Sequence, residues 1–302
     1  MNFWSAQRGK ASYPEWLRAR RDVLPAATRR LSDEEIARFR RDGFLAIDDV
    51  TTQEELGPLC EAYDRLFSEG RGWKDGSLFD MAGLDDTPAR AALPQLLNPS
   101  RYEAMLRNTL FHANALAMCR QLLGDSAGLV FEHAILKPPR VGGATPWHQD
   151  EAFYERYTNY RAITVWMALQ PTNPENGCMQ YIPGSHREPL WTHRSVNDDP
   201  RIHGLEAVGV DTEAAVLCPL PAGGATFHDC RTLHGAGPNL SDQPRRAYAL
   251  GFGKRGQQYT QRTEHAWNAE KRTLRQRREA ETQGTVRGLA EALKTRVKAL
   301  IR

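Results

Sequence analysis

Trp147-His148-Gln149-Asp150, followed far downstream by His234-Gly235-Ala236-Gly237-Pro238-Asn239 and then Arg245, holds the residue types of a reaction centre in this 302-residue chain. A His-x-Asp pair and one distant His are what a 2-His-1-carboxylate facial triad needs. Such a triad leaves the opposite metal positions open and suits non-haem Fe(II) oxygenases. In an extended strand alternate side chains share a face, so His148 and Asp150 aim together while Gln149 points away. The third ligand must come from elsewhere in the fold. His234 fits, since a neutral imidazole adds no second negative charge.

A His-x-Asp pair is short enough to arise by chance, and Asp150 equally suits a cap on residues 151–157, so the surroundings carry the assignment. Residues 130–136 form an apolar, strand-like run. Pro138, Pro139, Gly142 and Gly143 then break it and set the pair at the start of a new strand. Gly223-Gly224 reads as a turn into a strand running to Leu233, with His234 at its end. Arg245 follows across the turn-rich Gly237-Pro238-Asn239 and Asp242-Gln243-Pro244, where the chain can double back toward the same cavity. An iron oxygenase draws two electrons from a co-substrate. If that donor is a 2-oxo diacid, its far carboxylate calls for a fixed bidentate cation, for which Arg is better suited than Lys. Of the other histidines, His228 shares strand parity with His234 and ranks second as third ligand. His186 closes a structural turn, His193 and His203 sit in a polar insert and are expected to be exposed, and His112 and His265 lie in helix-like stretches.

These motifs resemble the phytanoyl-CoA dioxygenase family of Fe(II)- and 2-oxoglutarate-dependent oxygenases. The similarity runs from Leu31 to Gly253 and is most specific in Leu136-Lys137-Pro138-Pro139, Trp147-His148-Gln149-Asp150, Glu175-Asn176-Gly177-Cys178, Tyr181-Ile182-Pro183-Gly184-Ser185-His186 and Leu233-His234-Gly235-Ala236-Gly237-Pro238-Asn239. The opening Leu31-Ser32-Asp33-Glu34-Glu35, with Phe39 and Asp42-Gly43-Phe44-Leu45, resembles the family's start. The resemblance implies His148, Asp150 and His234 as iron ligands and Arg245 as the clamp on 2-oxoglutarate, with Trp166 and His133 lining the co-substrate pocket. It also implies Fe(II), 2-oxoglutarate and O2 as the reactive partners, with hydroxylation of an unactivated C–H bond in a small metabolite or natural-product intermediate. Succinate and CO2 are the co-products. An intact Asp150 favours hydroxylation over halogenation, while desaturation, cyclisation and epimerisation stay open. The chain departs from the pattern at Ala236, where some members carry a serine, and in lacking an upstream lysine, since only Lys74 lies between Lys10 and Lys137.

Length and composition suit one oxygenase domain over residues 1–302. Residues 1–128 form a mostly helical leader and outer helices, 129–253 a barrel core with an insert at 188–209, and 254–302 a helical tail. No apolar run approaches the length of a membrane span. The N-terminus lacks a signal-peptide core, and five scattered Cys without a C-x-x-C read as reduced thiols, so a cytoplasmic location is expected. The net charge of +3 is too small to imply a nucleic-acid partner, although arginines concentrate near both ends. Two rivals remain: a cupin-like metal- or ligand-binding protein without turnover, against which Arg245 argues, and a nucleic-acid-modifying oxygenase, which needs a continuous basic groove.

The elements that must position these residues are legible in outline. Ser32 and Glu35 form a capping box ahead of a helix over 32–42; 44–47 reads as a strand, and 52–69 and 101–123 as helices. From 129 to 253 short strands alternate with Gly and Pro turns. That pattern predicts a mainly β, jelly-roll or cupin-like barrel, and the resemblance implies a double-stranded β-helix with helices packed outside. Residues 188–209 and 72–99 are candidate pocket walls, and Glu151, Phe153, Tyr154, Glu155, Arg156 and Tyr157 candidate substrate contacts. Helical potential at 15–22 and a tail stripe of Val286, Leu289, Leu293, Val297 and Leu300 complete the outline. The stripe either packs on the barrel or meets its copy in a homodimer.

Overall fold

The computed structural model describes residues 24–154, 161–254 and 265–286. Ser32 caps α1 (Asp33–Asp42): its hydroxyl accepts the Glu35 N–H at 3.2 Å, and the Glu35 carboxylate accepts the Ser32 N–H at 2.7 Å. Gly43, at φ 81°, ends the helix, and a Cβ there would collide with the His186 ring. The chain passes at once into β1 (Phe44–Ile47) and then α2 (Gln53–Ser68), which buries Leu59, Tyr63 and Leu66. The helix expected over 101–123 is shorter. Ala104–Arg107 is a 3-10 turn, and α3 (Leu110–Leu123) starts only after Thr109, whose hydroxyl accepts the His112 N–H. The Glu55 carboxylate takes the free N–H groups of Leu110 and Phe111, as a helix N-terminus favours.

The remaining strands are β2 (Leu78–Asp80), β3 (Pro94–Leu97), β4 (Ala127–Lys137), β5 (Thr145–His148), β6 (Ala162–Ala168), β7 (Met179–Tyr181), β8 (His193–Ser195), β9 (Leu205–Ala207), β10 (Val216–Cys218), β11 (Ala225–Asp229), β12 (His234–Ala236) and β13 (Arg245–Lys254). Seven form an antiparallel sheet in the order β1-β11-β6-β13-β4-β3-β2 and four a second sheet, β10-β7-β12-β5. Side-chain alternation explains why they stack. Ile163, Val165 and Met167 of β6 and Tyr248, Leu250 and Phe252 of β13 face α2 and α3, while Trp166, Ala168, Ala247 and Ala249 face Met179, Tyr181 and Ala236 of the second sheet. Each large side chain buried on the helical face contributes about 1.5–3 kcal/mol. The inward face is built largely of alanine, which leaves room for a cavity. This is a double-stranded β-helix with outer helices.

Two expectations fail outside the sheets. His193 and His203 are buried, at 2% and 9% exposure, because the insert folds into the β8–β9 hairpin and packs inward, with the Gly204 N–H donating to Met81 O. Nor is the tail one helix. α4 (Ala266–Ala269) is a single turn, and helix resumes as α5 at 274–286. Between them the chain is tied down by long-range bonds: Trp267 Nε1 and Asn268 Nδ2 donate to Ala152 O at 3.0 and 2.8 Å, and the Arg272 N–H donates to Pro200 O. Arg278 pairs with Asp85 at 2.6 Å and lies over the Trp73 ring. Val286 is exposed; the rest of the apolar stripe, Leu289 to Leu300, and the helical potential at 15–22 lie outside the described residues. No described helix is long and apolar enough to cross a membrane.

Candidate active site

β5 and β12 pair antiparallel with His148 directly opposite His234, and their ring centroids are 4.2 Å apart. The pair lies at the end of a strand rather than at its start. β5 stops at His148, Gln149 stays extended (φ −118°, ψ 133°), and Asp150 opens a 3-10 turn, Asp150–Phe153. Gln149 explains the stop. Its amide Nε2 donates to Arg231 O at 2.7 Å, its Oε1 accepts the Trp191 N–H at 2.9 Å, and its own N–H donates to His193 Nε2, so the backbone is spent on loops instead of a ladder. Alternation across an extended Gln149 still puts residues 148 and 150 on one side. His234 likewise opens a strand instead of ending one. β11 stops at Asp229, and a turn closed by the Thr232 N–H on Asp229 O carries the chain to the facing sheet.

The three groups converge. Asp150 Oδ1 lies 3.7 Å from His148 Nε2 and 3.6 Å from His234 Nε2, and one donor atom from each residue falls within 4.8 Å of the others. Each ring is held through its other nitrogen: His148 Nδ1 contacts Pro146 O and His234 Nδ1 contacts Thr232 O, both at 2.8 Å. A carbonyl only accepts, so Nδ1 carries the hydrogen and Nε2 presents a bare lone pair, as a metal ligand must. Burial first, then the neighbouring His148 and His228, push the His234 imidazole well below its usual range and keep it neutral. Burial alone would raise the Asp150 carboxyl. The facing imidazoles of His148, His228 and His234 outweigh it and keep the group ionised.

A cavity of about 100 Å³ opens beside this cluster, and Arg245, Trp166 and His133 all line it. Arg245 opens β13 in register with Lys137 and is 1% exposed, with its guanidinium carbon 5.1 Å above the Trp166 ring. Its Nε and Nη1 are buried without a hydrogen-bond partner. Burial pushes this guanidinium down to about 9. Asn239 sets the turn before it by donating to Lys137 O, Pro138 O and Gln243 O. Burial holds His133 near 3, so it meets the cavity as a neutral ring.

Phe153 and Tyr154 reach the cavity as expected, but Glu151 does not. It is buried and forms a two-pronged ion pair with Arg231 at 2.7 and 3.0 Å. Glu155, Arg156 and Tyr157 lie outside the described residues. Sequence reasoning underrated His228, whose Nε2 is 3.3 Å from Asp150 Oδ2, and missed Thr164, whose hydroxyl donates to the same oxygen at 2.6 Å. Inward parity on β11 and β6 was the available signal for both. It also missed Lys137, fully buried with Nζ donating to Ala236 O and Gly237 O; burial and the nearby Arg245 push it down to about 6.

Comparison with known proteins follows the same lines. The model of the phytanoyl-CoA dioxygenase family matches residues 39–247. A protein of Stutzerimonas stutzeri named as a probable alpha-ketoglutarate-dependent hypophosphite dioxygenase is 33% identical over 215 residues, 70% of this chain and 74% of its own. Among solved structures, EvdO2 from Micromonospora carbonacea var. aurantiaca complexed with 2-oxoglutarate is 35% identical, with a TM-score of 0.65 over 81% of this chain and 96% of that one. SnoK, a non-heme alpha-ketoglutarate-dependent carbocyclase from nogalamycin biosynthesis, is 23% identical with a TM-score of 0.60 over 76% and 87%, a likeness of fold.

Proposed function

Because this chain belongs to the phytanoyl-CoA dioxygenase family and is an Fe(II)- and 2-oxoglutarate-dependent oxygenase, we propose that it hydroxylates an unactivated C–H bond of a small, uncharged metabolite or natural-product intermediate. The observation that carries the co-substrate's place is the buried Arg245, with two partnerless nitrogens aimed into a cavity shared with a 2-His-1-carboxylate cluster. These residues fit the groups they are assigned. Two bare Nε2 lone pairs and an ionised carboxylate suit Fe(II), and an orphaned guanidinium suits the distal carboxylate of a diacid. Trp166 supports the guanidinium from below, and His133 presents a neutral edge beside it.

When bound, the iron supplies the oxidising chemistry in which substrate R–H, O2 and 2-oxoglutarate become R–OH, succinate and CO2. The protein's part is binding, orientation and exclusion of water. His148, Asp150 and His234 would hold the metal, and Arg245 would fix the diacid's orientation through the end that does not react. The rest of the described lining includes neutral groups: Phe131, Phe153, Gln95 and His203. Gln95 Oε1 and His203 Nδ1 are buried without partners. Burial, together with Lys271 and Arg275, keeps His203 well below its usual range. Arg245 is the one Arg or Lys and Asp150 the one carboxylate among the described lining residues. Hence, among the described lining residues, an anion such as the hypophosphite in the relative's name finds no cationic side chain besides Arg245, whereas a neutral molecule that donates a hydrogen bond to Gln95 would satisfy an orphaned acceptor.

The test begins with anaerobic Fe(II) and 2-oxoglutarate, read by the visible metal-to-ligand charge-transfer band, and continues with a screen of charged and uncharged metabolites for substrate-dependent succinate. Hydroxylation yields a product heavier by one oxygen; desaturation or cyclisation yields one lighter by two hydrogens, and epimerisation leaves the mass unchanged. Absence of the band, or succinate release by anions alone, would end this reading.

A further inference from the structure

We propose that His228 and Thr164 form a clamp that turns one oxygen of Asp150 to the metal and holds the other away from it. The inference rests on the facial-triad reading and assigns roles to two residues outside the triad. The two oxygens of Asp150 have different company. Oδ1 is the atom that faces His148 Nε2 and His234 Nε2, at 3.7 and 3.6 Å. Oδ2 accepts the Thr164 hydroxyl at 2.6 Å and contacts His228 Nε2 at 3.3 Å.

The clamp is built into one sheet. Thr164 on β6 and His228 on β11 are a register pair, both side chains point inward, and His228 is 1% exposed. Its ring is fixed from behind, because Nδ1 lies 3.1 Å from Tyr181 Oη, which in turn lies 2.6 Å from Thr226 Oγ1. An ionised carboxylate only accepts, so His228 donates through Nε2; in the neutral ring Nδ1 then accepts the Tyr181 hydrogen and the Thr226 hydroxyl donates to Tyr181. A ring whose Nε2 hydrogen is committed to Oδ2 offers no lone pair on that side. His228 is therefore a positioning residue and not a fourth ligand.

The consequence lies in the number of open metal positions. A carboxylate free to rotate can chelate through both oxygens, and a bidentate Asp150 would take one of the three positions that a two-point co-substrate and O2 require. With Oδ2 occupied by two donors, Asp150 binds through Oδ1 alone. Outer partners of this kind typically govern metal affinity by about 10–100-fold.

The experiment uses the full chain loaded with Mn(II) without 2-oxoglutarate, reading affinity by calorimetry and the number of exchangeable bound waters by proton relaxation. Wild type should hold three waters. His228→Leu should weaken Mn(II) by about 10–100-fold, and His228→Leu with Thr164→Val should drop the count to two. His228→Gln, which keeps a donor, should recover most of the affinity. Thr164→Ser against Thr164→Val, both small changes on a buried strand, carries the test if His228→Leu does not fold. Wild-type affinity and three waters in the double variant would overturn the clamp, as would a His228→Gln that is no better than His228→Leu. Asp150→Ala that keeps wild-type Mn(II) affinity would instead overturn the triad on which the clamp rests.

Discussion

The two walls of the cavity are built by different means. On the co-substrate wall His148, His234, Arg245, Trp166, Thr164 and His228 all sit in strands, and each is placed by ladder register. On the rest of the lining Gln95 and Phe131 are strand residues, while Phe153 and His203 come from turns and the insert, which the tail pins in place through Trp267, Asn268 and Arg272. The lesson is one of energetics. A strand-built site is as rigid as the sheet and can carry an uncompensated charge such as Arg245, whereas a loop-built wall has to be tied by ion pairs and ring contacts of its own. One wall spends stability on function, and the other spends interactions on staying closed.

The sharpest way to break this contrast is at Arg278. Its pair with Asp85 is 16% and 2% exposed, and its guanidinium carbon sits 3.8 Å from the Trp73 centroid. Arg278→Leu leaves a buried carboxylate with only the Asp80 N–H and no counter-charge and should cost about 3–5 kcal/mol, read by urea unfolding of the metal-free protein. Co-substrate binding to the folded fraction should be unchanged. A loss of 2-oxoglutarate affinity in that fraction would show that the walls are not independent.

Arg245 should behave in the opposite sense. Arg245→Met removes the partner of a buried carboxylate, so the Kd for 2-oxoglutarate should rise about 100-fold, within the 2–5 kcal/mol of such truncations. The same change removes a buried charge with two partnerless nitrogens, so the protein without co-substrate should unfold at equal or higher urea concentration. Lower stability together with intact 2-oxoglutarate binding would mean that Arg245 is a structural cation.

How much of this was legible in the sequence follows the same division. Gly and Pro punctuation marked the strands, His-x-Asp with a distant His gave the cluster that can hold a metal, and the Arg expected beside it is a buried residue on the same cavity. Local alternation decides which way a strand residue points, and that was enough for the strand-built wall. It was not enough to show that the turn after Asp229 moves the chain from one sheet to the other, so His228 read as a rival of His234 when it faces that residue from the opposite sheet at 4.2 Å. The far wall was opaque for a different reason. His203 looked exposed because the insert is polar, and only contacts to residues far along the chain, Met81 and Lys271 among them, bury it.

Smaller effects come from the two buried lysines, one in each wall. Burial pushes Lys137 down to about 6 and Lys271 to about 7, against 10.5 for an exposed lysine. Both folded-state values are depressed, so above them the unfolded chain binds more protons than the folded one, and stability rises with pH up to about 10.5. Below about 6 both lysines are charged in the fold, and the full cost of burying them is present. Each group adds at most about 1.4 kcal/mol per pH unit inside its window.

Lys271→Met keeps the length of the side chain that crosses Phe153 and loses only the ammonium and its bond to His203 O. Urea unfolding at pH 7.5 and pH 9 should show wild type gaining stability across the interval and the variant gaining about half as much, with the variant the more stable of the two at pH 7.5. Lys137→Met should reduce the slope by a similar amount but also shift co-substrate affinity, because its neighbour in register is Arg245. The difference between the two variants is what separates the walls. If Lys271→Met moved 2-oxoglutarate affinity as much as Lys137→Met, the far wall would belong to the same rigid unit as the sheet, and the division between them would fail.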